Sequence, residues 1–215
     1  MNVGVLGRGQ VGRRLAGAFR DRGHEVMIGT REPDNVELQE WLAGDGSGVR
    51  VGTLADTAQF GEVLVLALLG NAAEEAVTQV GPDVFAGKIV IDAMNPLDFS
   101  MGPPPRLSIT GHDSLGEHVQ RALPEAKVVK AFNIIGSPYM ADPQFPDGKP
   151  TMIIAGEDAE AKAKVGEILE SFGWPPAVDA GGIEASRELE ALCILWVRIG
   201  LIRGSWDHGF KLLTG

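Results

Sequence analysis

Short runs of hydrophobic residues alternate along this chain with stretches whose apolar positions recur three and four residues apart. The short runs are typical of buried strands and the spaced positions of amphipathic helices. The pattern predicts strands at Val3–Leu6, Glu25–Ile28, Val49–Val51, Val63–Leu68, Ile89–Ile91, Lys127–Lys130, Thr151–Ala155 and Ala177–Val178. It predicts helices at Val11–Arg22, Val36–Leu42, Thr53–Gln59, Ala72–Val80, Ser114–Leu123 and Asp158–Phe172, with a last helix from about Ile183. This alternation indicates an α/β fold, a Rossmann-like doubly wound parallel sheet with a small C-terminal α/β extension.

Two irregular segments interrupt the alternation. Asn95–Asp113 is long and rich in proline and glycine, and Gly136–Pro150 carries four prolines. Loops of this length are often functional lids, although surface decoration explains them equally well. We expect one compact unit over 1–215, divided into a Rossmann core at 1–136 and a strand–helix extension at 151–215. The first loop carries residues that could cover a bound ring: Phe99, Met101, Pro103, Pro104 and Pro105.

Composition and charge narrow the class of partner. The formal charge is −10, which argues against nucleic acid and against an anionic membrane surface, so we expect neither as a partner. The single cysteine, Cys193, excludes an intrachain disulfide and favours a reducing cytoplasm. The first residues form a core strand without a basic segment, so we expect no signal peptide. Ala191–Ile202 is the longest apolar run, shorter than the roughly 20 residues of a membrane-spanning helix.

A glycine pattern follows the first predicted strand. Gly7, Gly9 and Gly12 have the spacing G-x-G-x-x-G, between an apolar strand and a helix. In a dinucleotide site the first glycine allows the turn and the second lets backbone amides approach a pyrophosphate. The third lets helix and strand pack closely. The positive end of the helix then faces the phosphates. The pattern therefore predicts a dinucleotide site, with a structural turn as the alternative.

The end of the second strand indicates which dinucleotide binds. An Asp or Glu there would bind the ribose hydroxyls and repel a 2′-phosphate. This chain has Gly29, Thr30 and Arg31 instead, and Arg8 in the glycine loop can approach the same place. A threonine hydroxyl and an arginine can both bind a phosphate. We therefore predict NADP(H), although each arginine could also be an exposed surface charge.

Five sequence blocks carry a resemblance to a known family: Gly7–Ala16, Ile28–Arg31, Asp92–Pro96, Val128–Asn133 and Ala185–Glu190. They run in the family's order over nearly the whole chain. The chain resembles the NADP-dependent oxidoreductase family that reduces the deazaflavin coenzyme F420. That family is related to the cytosolic reductase domain of the membrane metalloreductases.

The resemblance implies a set of cofactor contacts. Gly7–Val11 would hold the pyrophosphate, and Thr30 and Arg31 the 2′-phosphate. Leu68, Leu69, Asn95 and Ala131–Asn133 would surround the nicotinamide ribose and ring. With Arg8, the expected cofactor-binding residues are Gly7, Arg8, Gly9, Gln10, Val11, Thr30, Arg31, Leu68, Leu69, Asn95, Ala131, Phe132 and Asn133. Leu68, Asn95 and Ala131 also stand at C-terminal ends of predicted strands, where such folds bind ligands.

We expect hydride transfer between NADP(H) and a small-molecule acceptor, a deazaflavin, FMN or FAD. Such chemistry requires alignment of two rings rather than a general base, so we assign no catalytic side chain. No histidine or cysteine has metal-ligand spacing, and among the histidines only His112 merits a test. The alternatives are a non-catalytic NADP(H)-binding redox sensor and a hydroxyacid or imine dehydrogenase on the same nucleotide fold. The apolar stripe with Trp196 suits a homodimer, or burial within one subunit.

Overall fold

Strands and helices alternate through residues 1–214, the part of the chain that the computed structural model describes, apart from the side chain of Asn71. The strands of this part are β1 (Asn2–Leu6), β2 (Glu25–Gly29), β3 (Arg50–Gly52), β4 (Val63–Leu66), β5 (Ile89–Asp92), β6 (Leu97–Asp98), β7 (Arg106–Leu107), β8 (Lys127–Lys130), β9 (Ile153–Ile154) and β10 (Val178–Asp179). The helices are α1 (Gln10–Asp21), α2 (Val36–Ala43), α3 (Leu54–Phe60), α4 (Gly70–Val80), α5 (Leu115–Ala122), α6 (Ala159–Ser171) and α7 (Ser186–Arg203).

Six of these strands form one parallel sheet in the order β3-β2-β1-β4-β5-β8. This order confirms the predicted Rossmann-like doubly wound fold. The chain runs from β1 to β3 on one side and then crosses back to β4 on the other side of β1. Loops from the two halves diverge at that switch point, and open α/β sheets bind ligands beside it, at the C-terminal ends of the strands.

Apolar layers cover both faces of the sheet. On one face α1 packs against α6, where the rings of Phe19 and Phe172 meet edge to face at 4.8 Å between centroids. On the other face α4 and α5 pack on β4 and β5 through residues such as Val77 and Val119. The four residues of β4 are all buried. A strand covered on both sides needs a continuous apolar run, which explains why β4 lacks polar alternation.

The C-terminal extension is joined to the main sheet. β9 and β10 form a parallel pair, and Ala155 forms an isolated antiparallel bridge with Lys130 at the end of β8. The residues after α7 fold back over that helix. Trp196 Nε1 donates to the carbonyl of His208 at 2.9 Å, and the two rings stack with centroids 4.8 Å apart. Trp196 is thus only 9% exposed within one subunit, and the homodimer stays a prediction.

Many predicted boundaries differ from the structure by one to three residues, and one hairpin was not predicted. The strand predicted to reach Leu68 ends at Leu66, because the chain must turn there to begin α4 at Gly70. The strand predicted at Thr151–Ala155 is only Ile153–Ile154. The segment 95–113 holds an antiparallel hairpin of β6 and β7 that its prolines and glycines concealed. Within the described residues, no helix is long and apolar enough to cross a membrane.

Candidate active site

The glycine loop joins β1 to α1 at the switch point of the sheet. Gly7 has φ +125°, a conformation that favours glycine, and a Cβ there would overlap the carbonyl oxygen of Ala67. A Cβ at Gly12 would overlap the carbonyl oxygen of Gly7. A Cβ at Gly9, by contrast, would have no described atom within 4 Å. Gly7 and Gly12 are therefore needed for packing, whereas Gly9 borders open space.

The start of α1 adjoins that open space. Gly9 is the N-cap residue, and within residues 1–214 no side chain caps this helix. Arg13 N donates to the carbonyl of Gly9 at 2.9 Å, so the amides of the preceding turn lie before the first bond of the helix. Amides at a helix start carry partial positive charge and bind anions. This cradle fits the pyrophosphate of a dinucleotide.

The end of β2 supplies the rim of the cradle. Thr30 is buried, and its hydroxyl accepts from the amide of Glu32 at 3.2 Å. Arg31 is exposed. The guanidinium of Arg8 reaches this rim, where its Nη2 lies 2.6 Å from Glu32 Oε2. The rim therefore brings together the hydroxyl of Thr30 and the guanidinium of Arg8, both predicted from the sequence. It also contains a carboxylate that the prediction missed.

Glu32 is that missed carboxylate. Sequence reasoning looked for an acid at the last position of the strand and found none, although Glu32 follows Arg31 directly. Its side chain is 66% exposed and that of Arg8 is 30% exposed. An ion pair in water at this exposure stabilises the fold little. A 2′-phosphate at this rim would compete with Glu32 for the guanidinium of Arg8.

Two asparagines meet at the C-terminal ends of β5 and β8. Asn133 Nδ2 donates to Asn95 Oδ1 at 2.9 Å, and Asn95 Nδ2 donates to the backbone carbonyl of Asn133 at 2.9 Å. Asn133 Nδ2 also donates to the carbonyl of Leu189 at 3.0 Å. The Oδ1 of Asn133 is buried and has no partner among the described atoms. An orphaned acceptor of this kind can receive a hydrogen bond from a carboxamide.

The remaining predicted contacts lie around this pair with unequal access. Leu68 is half-buried, whereas Leu69 is 78% exposed. Ala131 and Phe132 are fully buried, and the ring of Phe132 packs in the core 6.0 Å from that of Phe172. Phe132 has φ +65°. Its side chain therefore serves the core, and only its backbone could contact a ligand. His112, the histidine singled out from the sequence, is exposed.

A buried lysine lies behind the asparagine pair. Lys130 Nζ is 2.7 Å from Asp92 Oδ2 and 2.8 Å from Glu190 Oε1, and it donates to the carbonyl of Met94 at 3.0 Å. Burial alone would lower the pKa of Lys130, but the two carboxylates outweigh it and raise that pKa above its ordinary value. Lys130 is therefore charged, and it fixes the backbone next to Asn95.

Sequence reasoning missed this triad, although three of the family blocks contain it. Asp92 begins one block, Lys130 lies in the second and Glu190 ends the third. Glu190 further accepts from the amides of Leu115 and Gly116 at 3.1 and 3.0 Å. The three blocks thus converge on one ammonium group. Asp92 and Lys130, charged residues at the ends of otherwise apolar strands, were a signal for two of its members, whereas no local signal pointed to Glu190 on α7.

The fold and the glycine loop are those of the Rossmann-fold class of dinucleotide-binding proteins. Residues 2–96 match the sequence model of the family described as NADP oxidoreductase, coenzyme F420-dependent. The crystal structure of a candidate F420-dependent NADP reductase from Arthrobacter sp. FB24 is 40% identical and superposes with a TM-score of 0.95, covering 100% of both chains. The chain belongs to this family of F420-dependent NADP oxidoreductases.

Two curated relatives are more distant. The F420-dependent NADP reductase of Methanocaldococcus jannaschii is 28% identical, over 99% of this chain and 98% of that protein. The metalloreductase STEAP3 of Rattus norvegicus is also 28% identical, over 88% of this chain but 36% of the rat protein. This chain therefore corresponds to about a third of the metalloreductase. Both relationships agree with the resemblance carried by the sequence blocks.

Proposed function

We propose that the protein transfers hydride between NADP(H) and a deazaflavin or flavin acceptor. The observation that carries the proposal is the position of two sets of groups at the same ends of adjacent strands. The amide cradle follows β1, and the Asn95–Asn133 pair follows β5 and β8. A dinucleotide that spans the switch point needs a phosphate site on one side and a nicotinamide site on the other.

The residues divide the work of binding NADP(H). The amides from Gly7 to Val11 would hold the pyrophosphate, and the hydroxyl of Thr30 with the guanidinium of Arg31 would bind the 2′-phosphate. Bound NADPH supplies two electrons and one proton as hydride and leaves as NADP⁺, while the acceptor takes its second proton from water. Arg8 would add a second cation at the rim once Glu32 is displaced from it.

Asn133 is the residue that would orient the nicotinamide. Its unpartnered Oδ1 can accept from the carboxamide NH₂, because its Nδ2 is already occupied by Asn95 and Leu189. Orientation decides which face of the ring meets the acceptor. The amide pair carries no charge that titrates near neutral pH, and ring-to-ring hydride transfer asks for alignment more than for acid–base chemistry.

A planar acceptor is favoured by exposed apolar side chains on the segments that follow β4 and β5. Leu69 is exposed, and so is Met101 in the loop between β6 and β7. Exposed apolar groups next to a site commonly contact ligand rings. The names of the relatives point the same way. We extend the proposal to a cytoplasmic setting, which a single reduced cysteine suits.

The test follows oxidation of NADPH and of NADH with FMN, FAD and coenzyme F420 as acceptors. We expect turnover with NADPH and at least one of these rings. Turnover with a hydroxyacid or an imine alone would favour the dehydrogenase alternative. Tight NADPH binding without turnover would favour the sensor.

The Arg31→Ala variant tests the phosphate contact. We expect it to weaken NADPH binding about tenfold, the usual effect of a lost charge-assisted bond, and to change NADH binding little. Arg50→Ala is the matched control, since Arg50 lies at the opposite end of β3 and pairs with Glu25 at 3.1 Å. Equal losses for the two cofactors in Arg31→Ala would contradict the assignment of the 2′-phosphate.

A further inference from the structure

A groove of about 730 Å³ separates the β6–β7 hairpin from α7. One wall comes from the proline-rich segment, and the other from the outer face of the helix. The groove is lined on the hairpin side by residues that include Pro104, Arg106 and Leu107. On the helix side its lining includes Ala191, Ile194 and Arg198. The groove lies outside the nucleotide cradle, and neither the family blocks nor the expected cofactor contacts include its arginines.

Both walls belong to chain segments that start near the asparagine pair. On the hairpin side, Asn95 is followed by Pro96, whose carbonyl accepts from Ser108 N at 2.8 Å, and Leu97 then pairs with Leu107. On the helix side, the carbonyl of Leu189 accepts from Asn133, and Ala191 lines the groove two residues later. The segments that form the groove are therefore anchored at the residues where the nicotinamide and the acceptor ring would meet.

The groove carries positive charge from two arginines that form no close ion pair with any described residue. Arg106 and Arg198 enter from opposite walls, and among residues 1–214 neither forms an ion pair within 4.0 Å. Asp98 stands opposite Arg106 in the hairpin register, and its carboxylate accepts from the amide and hydroxyl of Ser100 at 2.8 and 2.9 Å. The Ser100 hydrogen bonds, and to a smaller extent the charge of Arg106, lower the pKa of Asp98, so Asp98 offsets part of the charge of Arg106. In a chain of net charge −10, two such arginines in one groove fit an anionic ligand.

We propose that this groove binds the anionic side chain of the electron acceptor, so that the enzyme selects planar redox rings that carry a phosphate. The inference rests on the proposed function and deepens it. Arginine binds phosphate through two parallel hydrogen bonds, and the prolines with Ile194 offer apolar contact to the carbon chain between ring and phosphate. Arg106 and Arg198 are then specificity residues, distinct from the cradle that holds the dinucleotide.

The test compares ligands that share a ring and differ in the charge of the side chain. FMN and riboflavin form one pair, and coenzyme F420 and its ring with an uncharged ribityl side chain form the other. Binding to the NADP⁺-loaded protein is measured by the fluorescence of the ring, so turnover is not needed. We expect the charged member of at least one pair to bind about tenfold more tightly at low salt, and this preference to shrink as salt is added.

Variants then assign the preference to the groove. Arg106→Ala and Arg198→Ala should each remove most of the preference for the charged ligand. Both should change the affinity for the uncharged ligand by no more than about twofold, while Arg198→Lys should retain part of the preference. Arg203→Ala, an exposed arginine in the last turn of α7, is the control. NADPH affinity and the melting temperature should stay at wild-type values in all four, which separates lost recognition from lost folding.

Every other outcome contradicts either the proposed ligand site in the groove or the proposed hydride transfer. Equal affinity for charged and uncharged ligands, or binding of neither member of either pair, overturns the groove. A charge preference that survives both alanine variants also overturns it. If the preference and its loss are observed but no acceptor is reduced by NADPH, the groove stands as a ligand site and the proposed hydride transfer fails.

Discussion

Replacing Lys130 with methionine tests whether the buried triad holds the active-site end of the sheet. The side chain of Lys130 is fully buried, and its ammonium group pairs with both Asp92 and Glu190 while donating to the carbonyl of Met94. Methionine has a similar length and keeps the apolar stem in place, so little cavity should form. The variant removes the positive charge and leaves two buried carboxylates without it.

The expected loss of stability follows from that imbalance. Removing one partner of a buried ion pair costs about 3–5 kcal/mol, because the other charge stays desolvated. The amides of Met94, Leu115 and Gly116 still donate to these carboxylates and offset part of the loss. We therefore expect a value near the lower end, about 3 kcal/mol. Since domains of this size are stable by about 5–15 kcal/mol, the variant should fold.

Urea unfolding followed by tryptophan fluorescence measures this loss and its pH dependence. In the variant, a buried carboxyl that has lost its cation should favour the protonated, uncharged form. Such a group favours the folded state at low pH and loses that contribution as pH rises through the folded pKa. The variant should therefore be closest to wild type at pH 5 and furthest at pH 8. In the wild type, the raised pKa of Lys130 preserves its contribution until the pH exceeds about 10.5.

Lys127→Met is the matched control, because Lys127 lies on the same strand and pairs with Asp158 at 3.0 Å near the surface. Its loss of stability should be much smaller and nearly independent of pH between 5 and 8. Similar losses in the two variants, or a Lys130→Met deficit that does not change with pH, would refute the reasoning. NADPH affinity should also fall in Lys130→Met, since Met94 precedes Asn95.

Three further predictions concern the cradle, its rim and the cysteine. Glu32→Gln should tighten NADPH binding roughly two- to fivefold by releasing Arg8, with little effect on NADH, and calorimetric titration of both cofactors checks this. Gly9→Ala should keep the wild-type melting temperature but weaken NADPH binding, whereas Gly12→Ala should lower the melting temperature, because only the second Cβ overlaps backbone; the reverse order would contradict the packing roles. Burial raises the pKa of Cys193 to about 12, so iodoacetamide at pH 8 should label it only after unfolding, and rapid labelling of the native protein would disprove its burial.

The sheet and the cradle could be predicted because their signals are local. The apolar runs of β1 and β4 and the glycine spacing after β1 each occupy a few consecutive residues. Asn95 and Asn133 were expected from the family resemblance, and Asn95 also stands at a predicted strand end, where residues meet beside a switch point whichever loops follow. Predictions of this kind need the order of the elements and their ends, both of which the hydrophobic pattern supplies.

The triad and the rim carboxylate could not be predicted because their partners are distant in sequence. Asp92 and Glu190 lie on different elements from Lys130, and no local pattern announces that three charges share one buried point. Glu32 belongs to an exposed turn, where acidic residues are usually solvated. The β6–β7 hairpin was hidden for a different reason, since prolines and glycines in 95–113 mask the alternation of two-residue strands.

The short bridge between Lys130 and Ala155 has a consequence for self-association. Without this bridge, β8 would be an edge strand with unpaired backbone N–H and C=O groups, and such edges promote aggregation. Ala155 pairs with Lys130 there, and Gly156 lies so close to the carbonyl of Val128 that a Cβ would collide with it. The opposite border, β3, is only three residues long. Because one edge strand of the sheet is partly paired and the other is short, we expect copies of this chain to associate through helices and loops rather than by extending the sheet.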